Sequence, residues 1–274
     1  MEIPLIQWYC RGGVVDIDST GHQNRPAGGS SHHNKPTSCY VLHIHTLSQG
    51  GKMRITIIYD NETSRKDLMP DWGFACLVEA HDKTILFDTG ANGAILLGNM
   101  KNLNIDPESV DIVVISHAHF DHEGGLEQFL EKNSNVTLFI PSSYSIPPDS
   151  AREVITVREP MEICKGIFST GGLRGSEDMP YGNEIEQSLV INTERGEVVI
   201  AGCSHPGVKN ILQAASVHGK IRALIGGLHG FNEFDLLKGL DIVCATHCTE
   251  FKTQIKSLYP DTYIEGGAGI TISI

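Results

Sequence analysis

From Met53 onward the chain alternates short apolar runs with amphipathic stretches, and the two periods sort its elements. Positions 54–59, 74–80 and 84–87 are rich in β-branched and apolar residues and predict strands. Position 111 begins DIVVIS, an apolar run bounded by polar residues, which is the pattern of a buried strand. Further strands are predicted at 136–140, 221–225 and 242–245. A hairpin is predicted where 188–192 and 197–201 flank the turn residues TERG. Helical spacing marks 94–103, 126–132, 208–216, 233–240 and 251–258. Residues 141–185 are rich in Pro, Ser and Gly and read as irregular, with one strand candidate at 166–169. Each half thus runs strands first and then alternates strand and helix. Two sheets packed face to face with helices outside satisfy that order, an α/β class.

Residues 1–52 break the pattern. They hold GHQNRPAGGSSHHNKPTS, which has no apolar period, and the expectation is a disordered leader or a non-native extension. The folded domain is expected to span 53–274. Charge divides at the same place: the first 52 residues carry a net +1 and the remainder −13. A chain so acidic lacks the basic face of a nucleic-acid binder. No apolar run approaches the roughly 18 residues of a membrane span, so neither nucleic acid nor membrane is expected as a partner. Seven cysteines form no CxxC pair, and the opening MEIPLIQWYC lacks the basic head and long apolar core of a secretory signal. Reduced thiols and a cytoplasmic location are therefore expected.

The histidines carry the chemistry. Directly after DIVVIS stand His117, His119, Asp121 and His122 in the run HAHFDH. Residues i and i+2 at a strand end point the same way, so His117 and His119 can grip one ion. The following turn brings Asp121 and His122 to an adjacent point. Imidazole with carboxylate suits zinc, and also iron or manganese.

The HxHxDH run resembles the signature of the metallo-β-lactamase superfamily, and KTILFDTG, with Asp88, resembles its upstream element. Four further stretches resemble one branch, the dihydropteroate-synthase-related proteins, which is linked to an archaeal pterin synthase name. They are ITIIYDN (Asp60, Asn61), VVIAGCSHPGVKNIL (Cys203, His205), LIGGLHG (His229) and ATHCTEF (His247, Cys248). The resemblance implies a four-layer αβ/βα sandwich and two divalent metal ions, zinc first among them. Carried over by position, His117, His119 and His205 form one metal site, and Asp121, His122 and His247 the second. Many binuclear relatives place a bridging aspartate after the strand corresponding to 197–201; here Gly202 and Cys203 stand instead. Cys203 is thus either a ligand or an unligated thiol beside the site. Asp88 and Asp60 are expected to support the metal loops, and Asn61 to contact substrate. His229 is expected to contact substrate or move a proton, the alternative being that it orients a ligand.

The function so implied is a metal-dependent hydrolase acting on a small-molecule ester, lactone or phosphoester, with Asp121 and His229 as catalytic residues. Two other readings use the same ligands: a pterin transferase, and a non-catalytic metal- or pterin-binding protein. The sequence leaves the oligomeric state open.

Overall fold

A computed structural model describes residues 8–10, 13–15, 53–144, 149–175 and 184–274. Contacts divide the chain into two units, Met1–Ser48 and Gln49–Ile274. In the first, β1 (Trp8–Cys10) pairs antiparallel with β2 (Gly13–Val15). The rest of the expected leader lies outside the described residues.

The second unit begins with β3 (Arg54–Tyr59), β4 (Ala75–Ala80), β5 (Lys83–Phe87), α1 (Gly93–Asn102) and β6 (Ile112–Val114). There follow α2 (Phe120–Glu123), α3 (Leu126–Lys132), β7 (Thr137–Pro141), β8 (Glu153–Val157), β9 (Met161–Cys164) and β10 (Ile167–Ser169). Then come β11 (Leu173–Arg174), β12 (Ile185–Glu186), β13 (Leu189–Thr193), β14 (Gly196–Ala201) and α4 (Val208–Ala215). The unit ends with β15 (Ile221–Gly227), β16 (Ile242–Thr246), α5 (Lys252–Leu258) and β17 (Thr271–Ser273).

Seven strands form one sheet in the order β17-β3-β4-β5-β6-β7-β8, and six form another in the order β16-β15-β14-β13-β10-β9. In the first sheet β5 to β8 run parallel, and in the second β14 to β16 do. The alternation of side chains along each strand builds the layers. Ile55, Ile57, Ile85, Phe87, Val198, Ile200 and Ile225 share one core between the sheets. Their neighbours turn outward: Leu86, Val113 and Leu138 meet Leu96 and Met100 of α1 and Phe129 of α3. On the other side Val199 and Leu224 meet Ile211 of α4 and Ile255 of α5. Helix, sheet, sheet and helix are thus stacked, the αβ/βα sandwich expected. Strands buried on both faces need continuous apolar runs, which explains TILF, IVV and VVIA.

The last strand returns to the first. β17 pairs antiparallel with β3, Ile272 opposite Ile55, and the Ile274 N–H donates to the Met53 carbonyl at 2.9 Å.

Two sequence expectations are corrected. Residues 141–185 are not simply irregular: β8 extends the first sheet, and β9 pairs with β10, the strand expected at 166–169, to finish the second. β8 and β9 are edge strands with half-exposed positions, so their apolar alternation is diluted by polar residues. The helix expected at 233–240 is a single 3₁₀ turn, Phe234–Leu237, after which Lys238 is extended and Gly239 takes φ +83°. That left-handed glycine ends any helix before a second turn forms.

Candidate metal centre

All the candidate residues follow strands at one edge of the sandwich. Asp60 follows β3, Asp88 follows β5, and His117 to His122 follow β6. Cys203 and His205 follow β14, His229 follows β15, and His247 and Cys248 follow β16. Carboxyl ends of parallel strands in a layered α/β fold are where loops can converge on a ligand. Four residues there adopt left-handed backbone without being glycine: Asp88 (φ +59°), Ser204 (+63°), His229 (+44°) and His247 (+43°). Such conformations cost on the order of 1–3 kcal/mol each and persist where surrounding contacts over-determine them.

On the first sheet, Asp88 is wholly buried and organises the histidine loop. Its Oδ1 accepts the Ser116 amide at 2.7 Å, and its Oδ2 accepts the Ser116 hydroxyl, also at 2.7 Å. His122 Nδ1 lies 2.7 Å from the same Oδ2. A carboxylate only accepts, so this contact puts the proton on Nδ1 and aims Nε2 at the site. β6 ends at Val114, so His117 and His119 stand on the loop after the strand rather than on its pleat. Their rings nevertheless meet, with His117 Nε2 3.1 Å from His119 Nδ1.

On the second sheet the loop Gly202–His205 wraps a carboxylate. Glu186 Oε1 accepts the amides of Gly202 (3.1 Å), Cys203 (3.0 Å) and Ser204 (2.9 Å), and Oε2 accepts that of His205 at 2.8 Å. A side chain at residue 202 would overlap the Ser116 hydroxyl and lie 3.2 Å from His117 Nδ1, so glycine lets the two loops touch. His205 Nε2 then stands 3.0 Å from His229 Nε2.

His247 is held from both sides. Asn61 Oδ1 lies 2.9 Å from its Nδ1 and also accepts the Gly73 amide, while Asn61 Nδ2 donates to the His247 carbonyl. The Asp60 carboxylate accepts the His247 amide at 3.3 Å. Asn61, expected at the substrate, is thus turned to His247 and orients it. His247 Nε2 stands 3.1 Å from Asp121 Oδ2, which also accepts Trp72 Nε1–H at 2.9 Å.

The donor atoms of His117, His119 and His205 all lie within 4.8 Å of one another, and so do those of Asp121, His122 and His247. Burial drives His117, His205, His229 and His247 toward the neutral form that can ligate a metal. Burial pushes His117 well below the usual imidazole range, with the neighbouring histidines adding to the effect. Burial likewise takes His205 down to about 3 and His247 to about 4, in the latter against the pull of Asp121. His229 is lowered by burial as well. Burial works against charge on His122 too, but Asp88 and Asp121 carry it up to about 8. Burial opposes the Asp121 charge, yet the bond from His247 and the charge of His122 hold it well below the carboxylate range. Imidazole nitrogens brought within 3.0–3.1 Å of one another, with Asp121 Oδ2 beside His247 Nε2, make the donor set a divalent metal takes.

Two contributors escaped the sequence reading. Glu186 falls between the stretch read as irregular, 141–185, and the hairpin expected from 188, and Trp72 is a half-exposed tryptophan whose partner is 49 positions away. Neither has a local pattern that marks it.

A family model for the metallo-beta-lactamase superfamily matches residues 72–228, more than half of the chain. A curated relative from Methanocaldococcus jannaschii, named 7,8-dihydropterin-6-methyl-4-(beta-D-ribofuranosyl)-aminobenzene-5'-phosphate synthase, is 30% identical over 248 residues. The match covers 68% of this chain and 84% of the relative. Among solved structures, a metal-dependent hydrolase of the beta-lactamase superfamily is 26% identical with a TM-score of 0.65, covering 81% of this chain and 99% of its own. YhfI from Bacillus subtilis, a metallo-beta-lactamase fold protein, is 14% identical with a TM-score of 0.61, covering 82% and 100%, and shares the fold. By its family match and its sequence relative, the chain belongs to the metallo-beta-lactamase superfamily.

Proposed function

We propose that this chain is a metal-dependent hydrolase of a small-molecule ester, lactone or phosphoester. One observation carries the reading: two trios of donors, His117/His119/His205 and Asp121/His122/His247, converge at one strand edge from both sheets. They would hold two divalent ions, zinc first by donor type. When bound, such ions supply Lewis acidity, lowering the pKa of water from about 15.7 toward about 7 and offsetting negative charge on the reacting oxygen.

The chain's own residues supply the rest. Asp121, ionised across the physiological range, can hold a water proton at its carboxylate and orient the nucleophile toward the substrate. Trp72 fixes that carboxylate through its indole N–H. His229 Nε2 faces His205 Nε2 at 3.0 Å, and burial lowers the pKa of His229. It can take up a proton at Nε2 from the nucleophilic water and pass that proton to the leaving group. The net −13 over residues 53–274 favours a small substrate over a polyanion. Reduced thiols agree with a cytoplasmic setting.

A second reading has a specific support, the 30% identity to a relative named as a synthase. There the same centre would stabilise a leaving diphosphate, and the product would be a condensed pterin rather than an acid and an alcohol.

Elemental analysis of the purified chain, followed by assays on phosphodiester, lactone and pterin substrates, tests both. The expected result is bound divalent metal and hydrolysis of at least one ester class, both lost in His119→Ala. Condensation without hydrolysis would favour the synthase reading. Full metal retention in His119→Ala would overturn the ligand assignment.

A further inference from the structure

Beside the two trios lies a pair of sulfurs that neither trio uses. Cys203 Sγ and Cys248 Sγ are 3.3 Å apart, and Cys203 Sγ is 3.1 Å from His122 Nε2. Cys203, Cys248 and His247 present donor atoms within 4.8 Å of one another, and so do Cys203, His122 and His117. The cysteines arrive independently: Cys203 on the loop held by Glu186, Cys248 one residue after His247. Room for the second sulfur depends on Gly227, where a Cβ would stand 2.8 Å from Cys248 Sγ. Cys248 is half-buried and Cys203 fully so.

The spacing can be weighed against a real site. With zinc–sulfur bonds of ~2.3 Å and zinc–nitrogen bonds of ~2.05 Å, tetrahedral ligands stand roughly 3.8 Å apart for S···S and ~3.6 Å for S···N. The observed 3.3 and 3.1 Å are each about half an ångström shorter, so a small outward shift would admit an ion. A disulfide would need the sulfurs at about 2.05 Å.

We propose that Cys203 and Cys248 form the sulfur side of a metal site completed by His122 and His247. This deepens the reading of the centre as metal-binding, and rests on it. An S₂N₂ donor set selects zinc, cobalt or cadmium and discriminates against the oxygen-preferring manganese and magnesium. Each sulfur–metal bond forms as one S–H bond breaks, the proton leaves to solvent, and no electron changes hands. The ion so held would be the second one of the centre: the sulfurs join the nitrogens of His122 and His247, and Asp121 Oδ2, 3.1 Å from His247 Nε2, stays as the oxygen donor of that trio.

The test is cobalt titration of the full, reduced chain, read by the near-ultraviolet band that sulfur-to-cobalt charge transfer produces. The unsubstituted protein is expected to show the band, Cys248→Ser to keep about half its intensity, and Cys203→Ser/Cys248→Ser to lose it. Circular dichroism confirms folding, and Cys248→Ser, at a half-exposed position, is the variant least exposed to misfolding. In all three proteins the ion bound through His117, His119 and His205 should remain by elemental analysis. Cobalt bound with no sulfur band overturns the sulfur site and leaves the metal centre standing. A band unchanged in Cys248→Ser overturns the pairing, since Cys203 alone would then supply it. A chain that binds no cobalt overturns the metal-centre reading itself, and this site with it.

Discussion

Glu186→Gln is a sharp test of how the centre is built. The carboxylate is wholly buried and accepts four backbone amides, three at Oε1 and one at Oε2. Glutamine keeps one carbonyl oxygen, which can still face Gly202, Cys203 and Ser204. Its amide nitrogen must then oppose the His205 N–H, donor against donor. One charge-assisted bond is lost, worth about 1.5–3 kcal/mol, and a buried donor is left unsatisfied at a cost of about 1–3 kcal/mol. The remaining bonds weaken as the acceptor loses its charge. A total of about 3–5 kcal/mol follows, or roughly 6–20 °C in Tm at about 2–4 °C per kcal/mol for a domain this large. Urea denaturation in the presence of chelator isolates the folding term from metal binding. Elemental analysis then reads the second consequence, reduced metal content, because Cys203 and His205 ride on the loop that Glu186 fixes. An unchanged denaturation midpoint together with full metal content would refute the reasoning.

Three further outcomes are expected. Asp88→Asn should lower metal affinity about 10- to 100-fold by loosening His122, with little loss of folded protein, as read by competition with a chromophoric chelator. Gly202→Ala should destabilise by about 1–3 kcal/mol, because the added methyl meets the Ser116 hydroxyl; a neutral result in thermal melts would mean the loops do not touch as described. A chain starting at Met53 should keep both metal content and thermal midpoint, since the change in charge and apolar pattern falls there; insoluble product would tie residues 1–52 to folding.

What the sequence made legible was local. HAHFDH is a single loop, so its donors announce themselves, and strands buried on both faces show as TILF, IVV and VVIA. His205 and His247 were reached only through resemblance, because their partners lie far along the chain. Glu186 and Trp72 stayed hidden for the same reason: their bonds close over 16–19 and 49 positions, and no periodicity records that. The segment 233–240 has real apolar spacing, but Gly239 and the extended Lys238 stop it after one turn. Edge strands β8 and β9 lack the apolar continuity of central strands, since their positions are half-exposed. Asn61 was recognised at the site, yet its engagement with His247 depends on the loop after β3 meeting the loop after β16 of the other sheet, which only the tertiary structure supplies.

The pairing of β17 with β3 makes the sandwich close to a ring in its connectivity. Ile274 and Met53 are bonded neighbours across an antiparallel ladder, so their Cα atoms stand about 5 Å apart and a two-residue turn suffices to join them. New ends could be cut at the exposed turn Glu194–Arg195 between β13 and β14, giving a circular permutant with every other strand in place. The joined edge is where β3 starts, whereas the metal loops sit where β3, β5 and β6 finish. Cargo fused to Ile274, or to Met53 in a chain starting there, would attach on the side away from the chemistry.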